Sequence, residues 1–306
     1  MAHPQSCDIA VIGGGLAGLS AAVRAASGGA AVVCFEATPI YGGLSANVGR
    51  VDDYAAPGAI AGATLADQLA TRARELGVVF VNAEVTGIES ATGGVSITAG
   101  PSKTNCRSAI IASGARLRRL GVPGEAEFAG RGVSQCDWCD GGLYRNQRVA
   151  VVGGGDAACQ AALHLAEVCE SVTLIVRGSS LSARRAYVLR AADHPKIDFR
   201  WETRVERIVG ASGVDALLLV NLADGSPQTE PFAGVFIFAG VVPNLEFAPD
   251  ALTRDDAGYV VTDAQYRASM PEVFVVGAAR SGNGGSLLAA MGEATAAAAL
   301  AVASLD

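Results

Sequence analysis

A short apolar run at 8–12, a glycine-rich stretch at 13–18 and a mostly small, apolar segment at 19–26 predict strand, turn and helix in succession. A second β-rich apolar run at 31–35 ends at Glu36. Together they predict a β-α-β unit with an acid about 20 positions after the glycines, where a carboxylate can accept from ribose hydroxyls. The pattern then recurs. Residues 148–152 are apolar and β-rich, 153–158 form the turn, 159–168 the helix and 171–176 the second strand, which ends in Arg177-Gly178 instead of an acid. Near the C-terminus, 272–277 predicts a strand, 278–285 a loop of small residues and 286–305 an Ala-rich helix, suited to close packing on another helix or on a flat cofactor. Turn-rich linkers at 114–124, with Pro123, and at 240–249, with Pro243 and Pro249, bracket the second repeat, which predicts that it is inserted into the first.

The two turns read Gly13-Gly14-Gly15-Leu16-Ala17-Gly18 and Gly153-Gly154-Gly155-Asp156-Ala157-Ala158. In each, a phosphate can sit on the helix N-terminus, where free N–H groups and the helix dipole favour anions. Gly13, Gly15, Leu16, Ala17, Gly18 and Glu36 form the first candidate nucleotide site, and Gly153, Gly155, Asp156, Ala157 and Arg177 the second. An acid at the end of the second strand favours NAD, whereas a base accommodates a 2′-phosphate. Arg177 fits either that role or a solvated surface charge.

Between the turns lie Cys136 and Cys139, followed at once by Asp140 and Gly141. A C-x-x-C pair can close into a reducible disulfide that carries electrons two at a time. Its other reading, half a zinc site, lacks ligands: the chain has 3 His and no second C-x-x-C. The 306 residues, 50% hydrophobic and 17% charged, suffice for two cored domains. With 23 Lys and Arg against 30 Asp and Glu, the net charge of −7 gives a nucleic-acid partner no support. No apolar run approaches the ~20 residues of a membrane span. The first seven residues lack the basic region of a signal peptide, and the odd number of scattered cysteines, 7, fits a reducing cytoplasm.

The segment Gly130-Arg131-Gly132-Val133-Ser134, then 136–141, Tyr144-Arg145-Asn146-Gln147 and 149–155, resembles the low-molecular-weight thioredoxin reductase family. Gly42-Gly43-Leu44, Ala112-Ser113-Gly114, Pro243-Asn244 and 273–277 extend the likeness over essentially the whole chain. The resemblance implies an α/β chain of two Rossmann-like, three-layer ββα dinucleotide-binding domains, the second inserted into the first. The expected bounds are 1–114 and 243–306 for the FAD-binding domain, and 115–242 for the pyridine-nucleotide-type domain that carries the disulfide. It further implies FAD contacts at Gly43, Leu44, Asp53, Val85, Ala112, Ser113, Gly114, Gly277 and Ala278, and a homodimer. By position, Cys139 would face the flavin, Cys136 would exchange with the substrate disulfide, and Asp140 would be the acid protonating the flavin-side thiolate. That last role needs a carboxyl with a raised pKa, which burial beside a flavin supplies. Asp140 reads otherwise as an N-cap for the turn at Gly141. Trp138, between the cysteines, is placed to shield the disulfide, tune it or simply pack.

The chain departs from the family pattern at the nucleotide sites. Ala278 stands where the family has an Asp on the flavin's ribityl chain, and Gly285-Ser286-Leu287 replaces an Arg-Gln-Ala beside the ring. The family's basic NADPH signature becomes Val176-Arg177-Gly178, with Ser182 in place of a further Arg; Arg184 and Arg185 are near but shifted. Each lost guanidinium removes ~1.5–3 kcal/mol of phosphate binding. The expectation is therefore an FAD-dependent disulfide oxidoreductase acting on a thioredoxin-like protein or a small disulfide. Its donor is left open among weakly bound NADPH, a ferredoxin-like protein and a second flavin nucleotide. Two alternatives accompany it: a flavin-dependent dithiol oxidase that uses oxygen, and a nucleotide-binding redox sensor without turnover.

Overall fold

In the computed structural model, which describes residues 4–51, 54, 58 and 60–305, the first glycine turn links β1 (Ser6–Ile12) to α1 (Leu16–Ser27), which returns to β2 (Val32–Glu36). β1 and β2 are parallel, with Ile9 opposite Val32 and Ile12 opposite Phe35. α1 starts at Leu16, earlier than the periodicity places it. Within the turn only Gly13 takes a positive φ, +109°, so the chain has already settled into helical geometry by Leu16. After α2 (Gly62–Glu75) come β3 (Val79–Asn82), β4 (Val85–Ala91), β5 (Gly94–Ala99) and β6 (Ser102–Ile111). β1 sits between β2 and β6, and the described strands run in the order β3-β2-β1-β6-β5-β4.

β7 (Ala115–Leu117) leads into the second repeat: β8 (Val133–Ser134), the single turn α3 (Asp137–Asp140), β9 (Arg148–Val152), α4 (Asp156–Val168), β10 (Ser171–Ile175), α5 (Arg185–Ala192) and β11 (Ile197–Arg200). An antiparallel sheet follows, made of β12 (Thr203–Gly210), β13 (Val214–Asn221) and β14 (Pro227–Pro231). β15 (Gly234–Ile237) then completes a parallel sheet in the order β11-β10-β9-β15-β8. β16 (Val241–Pro243) pairs with β7, β17 (Val273–Val275) joins β6 in parallel, and α6 (Leu287–Ala303) ends the chain. Two compact units result, one of Met1–Arg116 with Val242–Asp306, the other of Leu117–Val241.

In the first unit, β1 is apolar on both faces, as a central parallel strand requires. Ala10 and Ile12 enter one core with Phe35, Ile97 and Ile111; Ile9 and Val11 enter the other with α1 and α6. The alanine stripe Ala294, Ala297, Ala298 and Ala301 of α6 packs in the same core as Ala21, Ala22 and Ala25 of α1. Small side chains allow that close approach, so much of the Ala-rich helix serves helix packing. In the second unit, Val149, Val151 and Leu174 face α4 and α5, while Ala150, Val152 and Ile175 face Ile208, Leu217 and Leu219 of the antiparallel sheet. This unit is thus layered as antiparallel sheet, parallel sheet and helices. Among the described residues no helix is long and apolar enough to cross a membrane.

Candidate active site

The end of β1 is crowded by backbone. A Cβ on Gly13 would run into the carbonyl oxygen of Ala112, and one on Gly18 into that of Gly13. The glycines therefore let the turn lie against the residues after β6. There Asn244 fixes the chain, donating from Nδ2 to Ser113 O at 3.1 Å and from its backbone N to Gly114 O at 3.0 Å. Glu36, at the end of β2, turns back to the glycines: its Oε2 accepts from Gly14 N at 2.7 Å, and its Oε1 from Thr38 N and Oγ1, both at 2.9 Å. Gly42 N donates to Gly14 O at 2.8 Å, which places Gly43 and the exposed Leu44 beside the turn. Gly277, at φ +67°, lies so near α1 that a Cβ there would be 3.2 Å from that of Ala17. The structure thus gathers Gly13, Gly15, Leu16, Ala17, Gly18, Glu36, Gly43, Leu44, Ala112, Ser113, Gly114, Gly277 and Ala278 around one turn. Val85 opens β4 with its side chain in the core, and Asp53 lies outside the described residues.

This arrangement fits a dinucleotide such as FAD. Gly15 caps α1 with no side chain over its free N–H groups, leaving them for a phosphate. The buried Ser113 Oγ and Arg280 Nε have no partner among the described residues, as expected of groups that answer a ligand. Sequence reasoning missed Glu293. From α6 its Oε2 accepts from Gly277 N at 2.8 Å and its Oε1 meets Arg280 Nη2 at 2.5 Å. Burial pushes the Glu293 carboxyl up, but the hydrogen bonds from Arg280 and Gly277 outweigh it and hold the carboxyl below its usual range. The only charged side chain in α6 thus brings a buried carboxylate to the residue before Ala278, with both oxygens engaged by Gly277 and Arg280. That isolated charge in an alanine run was the available signal.

The second turn is built differently. Gly153 meets Phe238 O much as Gly13 meets Ala112 O, and Asp156 starts α4 after the Gly155 cap. Asp156, however, is engaged by its own chain: its Oδ1 accepts from Arg184 N at 2.7 Å and its Oδ2 from Arg184 Nε at 2.5 Å. Ser182 donates to Gly154 O from N at 2.8 Å and from Oγ at 3.2 Å. Ala157 lies in the first turn of the helix, and Arg177 is exposed beyond β10. The glycine turn fits a pyrophosphate. After β10, Val176 is buried, Gly178 has no side chain and Arg184 is committed to Asp156, which leaves the exposed Arg177 as the cation directly following the strand.

The redox turn follows β8. Cys136 and Cys139 form a disulfide across α3, their Cα atoms 5.3 Å apart. Cys139 N donates to Cys136 Sγ at 3.1 Å. Ser134 Oγ donates to Asp140 Oδ2 at 2.6 Å and accepts from Cys136 N at 3.0 Å. The Asp140 side chain caps nothing at Gly141; Ser134 orients it instead. Cys139 and Trp138 are exposed, and Cys136 is half-buried. Asp137 and His164, unremarked in the sequence, meet here: Asp137 Oδ2 lies 2.8 Å from His164 Nδ1. The other cysteines are reduced; Cys34, Cys106, Cys159 and Cys169 are buried and Cys7 is half-buried.

Comparison with known proteins agrees with this geometry. The pyridine nucleotide-disulphide oxidoreductase family matches residues 7–298. A thioredoxin reductase of Listeria monocytogenes is 34% identical over 94% of this chain and 90% of its own, and one of Treponema pallidum is 36% identical over 90% and 89%. The crystal structure of Lactococcus lactis thioredoxin reductase superposes with a TM-score of 0.91 at 34% identity, covering 96% of this chain and 97% of that one. The chain belongs to the pyridine nucleotide-disulphide oxidoreductase family, as a thioredoxin reductase-like flavoprotein enzyme.

Proposed function

We propose that the protein is an FAD-dependent disulfide oxidoreductase that reduces a thioredoxin-like protein or a small disulfide through Cys136 and Cys139. The observation that carries this reading is the Cys136–Cys139 disulfide with the Asp140 carboxylate held by Ser134 beside it. The first unit, with Glu36 on its glycine turn, would hold FAD, which when bound supplies a two-electron reservoir. Once the pair is reduced, a Cys136 thiolate attacks one sulfur of the external disulfide, forming a mixed disulfide and releasing one thiolate. The Cys139 thiolate then displaces the second thiolate and restores the Cys136–Cys139 bond. The N–H of Cys139 on Cys136 Sγ supports Cys136 as the attacking group, because a hydrogen bond to a thiolate favours the charged form. Asp140 holds the proton exchanged with Cys139.

NADPH is a poor donor in this reading, because the cations for its 2′-phosphate are missing at Val176, Gly178 and Ser182. A ferredoxin-like protein or a second flavin nucleotide fits the same gap, and the expected setting is a homodimer in a reducing cytoplasm. The test is dithiol-driven flavin reduction in three variants of the purified, FAD-loaded protein. Cys139→Ser should block it, Cys136→Ser should leave the protein unable to reduce an external disulfide, and Asp140→Asn should slow exchange by roughly 10²–10⁴-fold. Full activity in both cysteine variants sinks the reading.

A further inference from the structure

The two residues enclosed by the cysteines are held by one side chain outside the turn. His164 sits on α4, and its Nδ1 lies 2.8 Å from Asp137 Oδ2. An ionised carboxylate can only accept, so Nδ1 carries the proton and donates. The imidazole also stacks on Trp138, with ring centroids 3.8 Å apart and planes 13° from parallel. Both partners in the hydrogen bond are largely buried, with side-chain exposures of 18% for His164 and 12% for Asp137. Trp138 is 50% exposed, so the imidazole covers part of the indole and solvent bathes the rest. The turn is seated on the same helix at Gly141, where a Cβ would come within 2.9 Å of Leu165 Cδ2.

We propose that His164 is a positioning residue for the redox pair: by gripping Asp137 and Trp138 together, it keeps the Cys136–Cys139 turn closed after the sulfur–sulfur bond is broken. The inference rests on the reading that this pair cycles between disulfide and dithiol. The equilibrium between the two forms measures the effective concentration of one thiol at the other. A rigid turn raises that concentration and favours the disulfide. Without His164, the reduced turn keeps the backbone bond of Asp140 N to Cys136 O and the Ser134 bond to Cys136 N, but neither residue between the cysteines stays anchored to α4. A buried hydrogen bond to a charged group and a ring stack together account for about a tenfold change in equilibrium.

The experiment uses the full-length flavoprotein equilibrated with mixtures of reduced and oxidised dithiothreitol, quenched in acid, alkylated and weighed. Oxidation of the dithiol passes two electrons and two protons to oxidised dithiothreitol, forming one S–S bond in the protein and breaking one in the reagent. His164→Ala should shift the equilibrium toward the dithiol about tenfold, which is ~30 mV for a two-electron couple. His164→Asn returns a donor near Nδ1 without a ring, and His164→Phe returns a ring without a donor. Each should recover about threefold of the shift. A His164→Ala equilibrium within twofold of the parent overturns the proposal. So does a shift that neither Asn nor Phe reduces, since general loosening of the unit would give that pattern. A parent pair unmoved by any dithiothreitol mixture removes the disulfide-reductase reading itself, and this inference with it.

Discussion

The first and second glycine turns share a strand, three glycines and a helix, yet they present different surfaces to a ligand. At the first, the Glu36 carboxylate turns back onto the glycines, and Ser113 Oγ and Arg280 Nε lie buried with no partner among the described residues. Both turns have the carbonyl of their second glycine bonded by a following loop, from Gly42 N at the first and Ser182 N at the second, but at the second Arg184 is also on Asp156 at the first position of α4. The difference lies outside the glycines. A phosphate-binding turn is a backbone shape that many sequences can adopt, whereas selection among nucleotides depends on what the next strand and loop deliver to it. The first turn carries Glu36 on its glycines, and the second has Arg184 engaged on Asp156.

Substitutions can break or sharpen this contrast. The largest effect is expected at Gly18→Ala, whose Cβ must displace the Gly13 backbone. It should cost about 3 kcal/mol of stability and strip flavin from the purified protein. Gly155→Ala, with φ −91° and its nearest atom 3.9 Å away, should stay within about 0.5 kcal/mol of the parent. Thermal melts and the flavin-to-protein absorbance ratio read both.

Next is Glu293→Gln, which leaves the mostly buried Arg280 unpaired and should cost about 2 kcal/mol at neutral pH. The folded Glu293 carboxyl lies below its ordinary value, so its contribution is fully present above the unfolded carboxylate range, near pH ~4.3. It is lost as pH falls through the folded value. Denaturation curves of parent and variant should therefore converge in acid; a gap that persists there contradicts the assignment. The smallest effect is a gain. Gly178→Arg with Ser182→Arg restores two cations at exposed positions without disturbing the buried Val176. It should speed flavin reduction by NADPH about tenfold in stopped flow. An unchanged rate would locate the obstacle elsewhere than in the missing charges.

The local units were legible because their signals are local. Glycines forced by backbone contact, the acid closing β2 and the paired cysteines all lie within short windows, and the thioredoxin reductase likeness rests on the same windows. Distant meetings were not legible. His164 lies two turns into α4, beyond the glycine motif, and it reaches Asp137 because Gly141 lets the redox turn settle on Leu165. Glu293 reaches Gly277 only because α6 packs its alanines on α1. The antiparallel strands β12–β14 carry no glycine motif and went unread. The α4 helix begins at Asp156, three residues before the periodicity shows it, since the Gly155 cap already sets Asp156, Ala157 and Ala158 in helical geometry.

The placement of the five reduced cysteines has a practical consequence. Burial pushes the Cys34 thiol up to about 12 and the Cys159 thiol up to about 11, and Cys106 and Cys169 are also raised, so at neutral pH these side chains are poor nucleophiles as well as hidden ones. A Cys139→Ser protein would then carry two thiols available for covalent trapping, Cys136 and the half-buried Cys7, whose thiol the hydrogen bond with Cys106 holds below its usual range, so Cys7→Ser is needed to leave Cys136 alone. Incubated with a proteome, the doubly substituted protein would act as bait: a partner disulfide attacked by the Cys136 thiolate forms a mixed disulfide and releases one partner thiolate, and the adduct persists because the resolving Cys139 thiol is gone. With Cys7 also replaced, the burial of the four remaining thiols makes the enzyme a single-thiol probe for its own substrate.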